Sequence, residues 1–219
     1  MGLFKRTRGD KTGGPEVTGT LGYFGLGEWW LTTFTEEERA YIEEKHLPMG
    51  GLPGVTLTQG HIGQTTQTAA GLLVSLSTWF TGPGDRHLAI RMLEKADSLA
   101  GSNIIDRHMV YGQMVKDYYA ERETQPGALD AAVVACERQI AIAPQVLPAW
   151  VAAYPSDPPI TPKHSGYVQL AIIREKQGDY AEALRLCQEA KSQGWRSDRS
   201  DRDWSKRIAR LEGRLSKTE

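Results

Sequence analysis

The sequence predicts an almost entirely helical protein, and three observations carry that expectation. From about residue 66 onward, apolar residues recur at three- and four-residue spacing with few interruptions. Short breaks carrying Gly or Pro, at Thr81–Gly84, Gln125–Gly127 and Gln177–Gly178, divide this region into segments of helical length. Short connections between such segments suit antiparallel helix pairs. Upstream, Thr35 is followed by Glu36, Glu37 and Glu38, the S/T-x-x-E capping box that opens a helix.

Sixteen of the 23 glycines fall in residues 1–84, so the two ends obey different rules. Residues 1–20, polar and carrying Lys5, Arg6, Arg8 and Lys11, are expected to form a flexible basic tail. Residues 21–65 read as an irregular cap with one helix near 35–46, ended by Pro48. The apolar lead-in Leu21, Tyr23, Phe24, Leu26, Trp29, Trp30 and Phe34 would cover an exposed helical end. Residues 66–216 form the helical domain. Within it, prolines 144, 148, 155, 158, 159 and 162 mark an insertion near 144–162. Because proline interrupts helices, this insertion is expected to loop out, with at most a short turn near Leu147–Ala153. A last amphipathic helix places Trp204, Ile208, Leu211 and Leu215 on one face and Lys206, Arg207, Arg210, Arg214 and Lys217 largely elsewhere. Ser200-Asp201-Arg202-Asp203 would start it, and a solvated outer basic face is expected.

Fixed-period similarity is visible in the helical domain. The best unit reads Tyr167-x2-Leu170-Ala171-x2-Arg174, then Gly178-Asp179-Tyr180, then Ala183-x3-Cys187-x2-Ala190. This resembles the tetratricopeptide repeat, a 34-residue helix–turn–helix. It departs from that pattern at Arg174, where the family prefers an aromatic residue, and at Trp195, where it prefers proline. A second copy reads Leu73-x2-Leu76-Ser77-x2-Phe80, Gly84, Ala89-x3-Leu93-x2-Ala96. A third reads Tyr119-Ala120, Gly127, Leu129, Ala132-x3-Cys136 and Pro144, with Gln139 where a small residue is usual. The turn glycines lie 43 and 51 residues apart, so insertions of about 9 and 17 residues separate the units. The resemblance covers about residues 70–197 and implies a short α-solenoid. Small residues such as Ala171, Ala183 and Ala190 would let the paired helices nest.

The resemblance also implies a function, a non-catalytic module binding a protein or peptide in the groove lined by the first helix of each pair. The groove positions carried over are Val74, Thr78, Asp117, Glu121, Val168 and Ile172. They lack the Lys and Asn pairs with which one subclass grips acidic chaperone tails. Their acidic middle suits a peptide with basic and aliphatic residues.

Composition narrows the alternatives. Cys136 and Cys187 lie far apart and form no CxxC pair, which argues against a disulfide framework or cysteine zinc site, and both are read as buried thiols. A net charge of −1 gives no global reason to seek nucleic acid. No apolar run suggests a membrane span and no signal peptide is visible, so a cytoplasmic protein is expected. No P-loop, G-x-S-x-G or H-E-x-x-H occurs, and no cofactor is expected. Two rival readings remain. One is a small enzyme or metalloprotein using His61, His87 or His108, the last two within the similar triplets Asp85-Arg86-His87 and Asp106-Arg107-His108. The other is a helical nucleic-acid binder using the basic termini.

Overall fold

The computed structural model describes residues 16–48, 56–158, 160–197 and 204–217. Among them are ten helices and no β-strand. The chain divides into two compact units between Thr66 and Gln67. The basic run Lys5–Arg8, the glycines at 50–54 and the expected Ser200–Asp203 cap lie outside the described residues.

The first unit is more regular than its glycine content suggests. Two helices precede the expected one: α1 (Gly19–Tyr23) and α2 (Gly27–Thr33). The flexible-tail expectation therefore fails at Thr18–Thr20. The amides of Thr18 through Leu21 donate to carbonyls of residues 56–60, which pins this end of the chain. The capping box at Thr35 is complete. Its hydroxyl accepts from the Glu38 amide, the Glu38 carboxylate accepts from the Thr35 amide, and α3 runs Glu36–Lys45. Leu21, Leu26, Trp30, Phe34, Ile42 and Leu57 are buried, so the aromatic lead-in supplies core side chains.

The second unit is a run of helices packed on their sequence neighbours: α4 (Ala69–Ser77), α5 (Arg86–Ala100), α6 (Ile104–Ala120), α7 (Ala128–Ala153), α8 (Ser165–Lys176), α9 (Tyr180–Ser192) and α10 (Trp204–Leu215). Side chains cap several of their starts. Thr68 accepts from the Gly71 amide, Asn103 from Ile105 and Asp106, and Asp179 from Glu182. Gly127 and Gly178, at φ +78° and +82°, provide the left-handed turns before α7 and α9 that a side chain would oppose. Helix α4 also packs on α6, and α6 on α8, so alternate helices lie side by side.

Small residues line this packing. Ala89, Ala96, Ala132, Ala171, Ala183 and Ala190 are all fully buried. Ala183→Leu is expected to overpack the α8–α9 pair and cost about 1–3 kcal/mol. A lowered thermal midpoint checks it. Cys136 and Cys187 are free and fully buried, and burial pushes their thiols up to about 12 and about 11. Both should resist a thiol reagent in the native protein and react once it is unfolded.

The proline segment corrects the sequence expectation. Helix α7 continues through Pro144 and Pro148 as far as Ala153. Each proline removes one amide, freeing the carbonyls of Ile140 and Pro144. Both prolines are exposed, while Ala143 and Val146 are fully buried. The freed carbonyls thus fall where water can solvate them, and burial of the opposite face holds the helix together. It stops at Tyr154, just before Pro155.

Candidate partner-binding clefts

The six groove residues do not share one environment. Val74, Asp117, Glu121 and Val168 are buried, Ile172 is half-buried and Thr78 is exposed. The carboxylates at the expected acidic middle are already occupied. Arg86, at the start of α5, pairs through Nη1 with Glu121 Oε1, and its Nε faces Asp117 Oδ1 at 3.9 Å. Its Nη2 donates to the Thr81 carbonyl. Gln113 donates to Asp117 Oδ2 at 3.1 Å, and the Thr124 hydroxyl to Glu121 Oε2 at 2.6 Å. Burial raises the Asp117 carboxyl to about 6 against the pull of Gln113 and Arg86. The Thr124 hydroxyl and Arg86 hold the Glu121 carboxyl below its usual range. Two acids and one arginine thus form an internal ion cluster tying α5 to α6.

Two clefts stand out among the described residues. The first, about 480 Å³, lies between α5, α6 and α7 and is walled by Pro83, His87, Ile90, Tyr118, Pro126 and Ala131. Of the six groove residues, only Glu121 reaches it. The second, about 410 Å³, lies between α8 and α10, with Ile172 in its wall. Arg207, Arg210 and Arg214 project into it from one stripe of α10 at helical spacing, and Lys176 enters from α8. Arg210 Nη2 donates to Glu175 Oε2 at 2.7 Å, and Arg207 Nη1 to the Val168 carbonyl at 3.2 Å. Arg214 lies over the Tyr180 ring at 5.8 Å, and Lys176 Nζ donates to the Tyr119 hydroxyl at 3.1 Å. Part of the basic stripe expected on the outer surface therefore lines a cleft against α8.

A buried polar cluster joins α6, α7 and α8. Gln139 is almost fully buried. Its amide donates to the His108 carbonyl at 2.8 Å and accepts from the Gly166 amide at 2.6 Å. Room for it comes from glycine. A Cβ on Gly112 would meet Gln139 Nε2 at 2.8 Å, and one on Gly166 would meet Gln139 Oε1 at 3.0 Å. His108 Nε2 donates to the Lys163 carbonyl at 3.2 Å, and its ring stacks on Trp195 with centroids 5.4 Å apart. His164 Nδ1 accepts from the Tyr167 amide, capping α8, and its ring meets Trp195 nearly perpendicular at 4.6 Å. Burial lowers His108 to about 4 and His164 to about 3, so both rings are neutral at pH 7. Two of the three departures from the repeat pattern, Gln139 and Trp195, fall in this cluster on either side of His108.

His108 is thus committed to packing, His87 lines the first cleft and His61 is exposed. Among the described residues no three His, Cys, Asp or Glu side chains converge as a metal-ligand set. Nor, among the described residues, is any helix long and apolar enough to cross a membrane. No protein-family model, curated protein or solved structure matches the chain. The likeness to tetratricopeptide repeats rests on the residues quoted above.

Proposed function

We propose that the chain is a non-catalytic interaction module, a short array of tetratricopeptide-like hairpins that holds an extended segment of a partner protein. The observation that supports this most is the side-by-side placement of α4, α6 and α8, the first helices of the three hairpins, with a cleft flanking α8. Lys176 on α8 reaches Tyr119 on α6, so that cleft adjoins the row of first helices. The buried alanines at matching repeat positions support the same reading. Two free, buried thiols suit a reducing compartment, and we place the module in the cytoplasm on that ground.

Selection of a displayed peptide library on the purified chain tests the proposal. Enriched peptides should bind at micromolar strength, compete with one another, and weaken at least about fivefold on Ile172→Glu. A folded chain that enriches no peptide would overturn it.

A further inference from the structure

We infer that the cleft between α8 and α10 takes an acidic peptide segment, with carboxylates on the arginine stripe and an aliphatic side chain against Ile172. The inference rests on the module reading above and gives its ligand a charge. That charge is opposite to the one suggested by Asp117 and Glu121 in the sequence.

Three observations carry it. First, the acids that would recruit a basic peptide are buried and engaged by Arg86, Gln113 and Thr124. Second, among the described residues lining the cleft, Lys176, Arg207, Arg210 and Arg214 stand with one carboxylate, Glu175. Like charges crowded along one groove repel, and a polyanionic partner relieves that repulsion while gaining charge-assisted hydrogen bonds. Third, the cleft already grips a carboxylate: Glu175 meets Arg210 at 2.7 Å with that arginine still half exposed. Glu175 therefore acts as an internal stand-in for a ligand acid.

The same geometry argues against nucleic acid as the occupant. Single strands are held by basic grooves combined with open aromatic faces on which bases stack. Here Tyr180 lies beneath Arg214, and Tyr119 carries Arg122 at 4.3 Å and Lys176 at 5.7 Å. The aromatic faces near the cleft are already taken by cations. Ile172 leaves an apolar wall suited to Leu or Val in a peptide.

Fluorescence anisotropy with a labelled peptide of about twelve residues, rich in Glu and carrying two leucines, is the test. The wild-type chain should bind it, with affinity falling about tenfold between roughly 50 and 300 mM salt. Lys176→Glu with Arg214→Glu should weaken it at least about tenfold. Glu175→Gln should tighten it about threefold or more, because Arg210 loses its internal partner. That gain is not expected of a merely structural residue, and it keeps the test decisive if the double variant folds poorly by circular dichroism. Equal binding of a Lys-for-Glu peptide, unchanged affinity in Glu175→Gln, or displacement of the peptide by a uridine oligonucleotide of similar affinity would each overturn the inference. If the acidic peptide fails while library selection yields neutral or basic binders, the module reading survives and the acidic cleft falls. If neither binds, both fall.

Discussion

Arg86→Met is expected to destabilise the protein by about 3–5 kcal/mol at pH 7, among the largest effects of any single substitution in the chain. The methionine has similar volume, so the loss comes from electrostatics. It leaves Asp117 and Glu121 buried, close together and without their cation, and an uncompensated buried charge costs this much. The penalty should shrink at pH 5, because Asp117 already has its carboxyl raised to about 6 and takes up a proton there. Adding Asp117→Asn and Glu121→Gln should recover part of the loss at pH 7. Urea unfolding at both pH values measures all three. A loss below about 1 kcal/mol would mean that this cluster is solvated.

Acid should weaken the fold through His108 and His164. Both are held far below the ordinary 6.5 by burial, His108 at about 4 and His164 at about 3. Below pH 6.5 the unfolded chain therefore binds more protons at these positions than the native chain. Their stabilising contribution is fully present above pH 6.5 and falls by about 1.4 kcal/mol per pH unit for each group as the medium is acidified. By pH 5 the two together should remove about 4 kcal/mol. Asp117 works in the opposite direction. Its folded pKa lies above the ordinary 3.8, so it returns about 1 kcal/mol over the same interval. For these three groups together the expected loss is about 2–3 kcal/mol between pH 7.5 and 5. His164→Asn keeps an acceptor at the cap of α8 while removing one titrating ring, and should cancel about 2 kcal/mol of that acid-induced loss. Denaturation curves across this range decide it, and an unchanged slope in the variant would contradict the buried-histidine description.

Periodicity and turn chemistry made most of the helices legible from the sequence. The Thr35 box, the breaks at Gly127 and Gly178 and the alanines of α8 and α9 are local signals, and local physics suffices to read them. The course of α7 was not legible. Pro144 and Pro148 argue for a loop on propensity, and only the burial of Ala143 and Val146 against the rest of the unit overrides it. Helices α1 and α2 were missed because glycine obscures such short elements, and the start of α1 is held by distant carbonyls at 56–60. The groove residues illustrate the same limit. Asp117 and Glu121 occupy the first-helix positions expected to face a partner, but Arg86, 31 and 35 residues away, turns them inward. Gln139 and Trp195 read as blemishes in the repeat, and only in three dimensions do they close one cluster around His108 and His164. The α10 stripe was visible as a basic face, and its position against α8 was not.

The most direct measurement is an amide NMR titration of isotope-labelled protein with the Glu-rich peptide. The largest shifts should fall on Ile172, Lys176 and Tyr180, and on Arg207 through Arg214 of α10, with the α5–α7 cleft unmoved. Shifts gathered around His87, Tyr118 and Ala131 instead, or none at saturating peptide, would contradict a partner segment seated between α8 and α10.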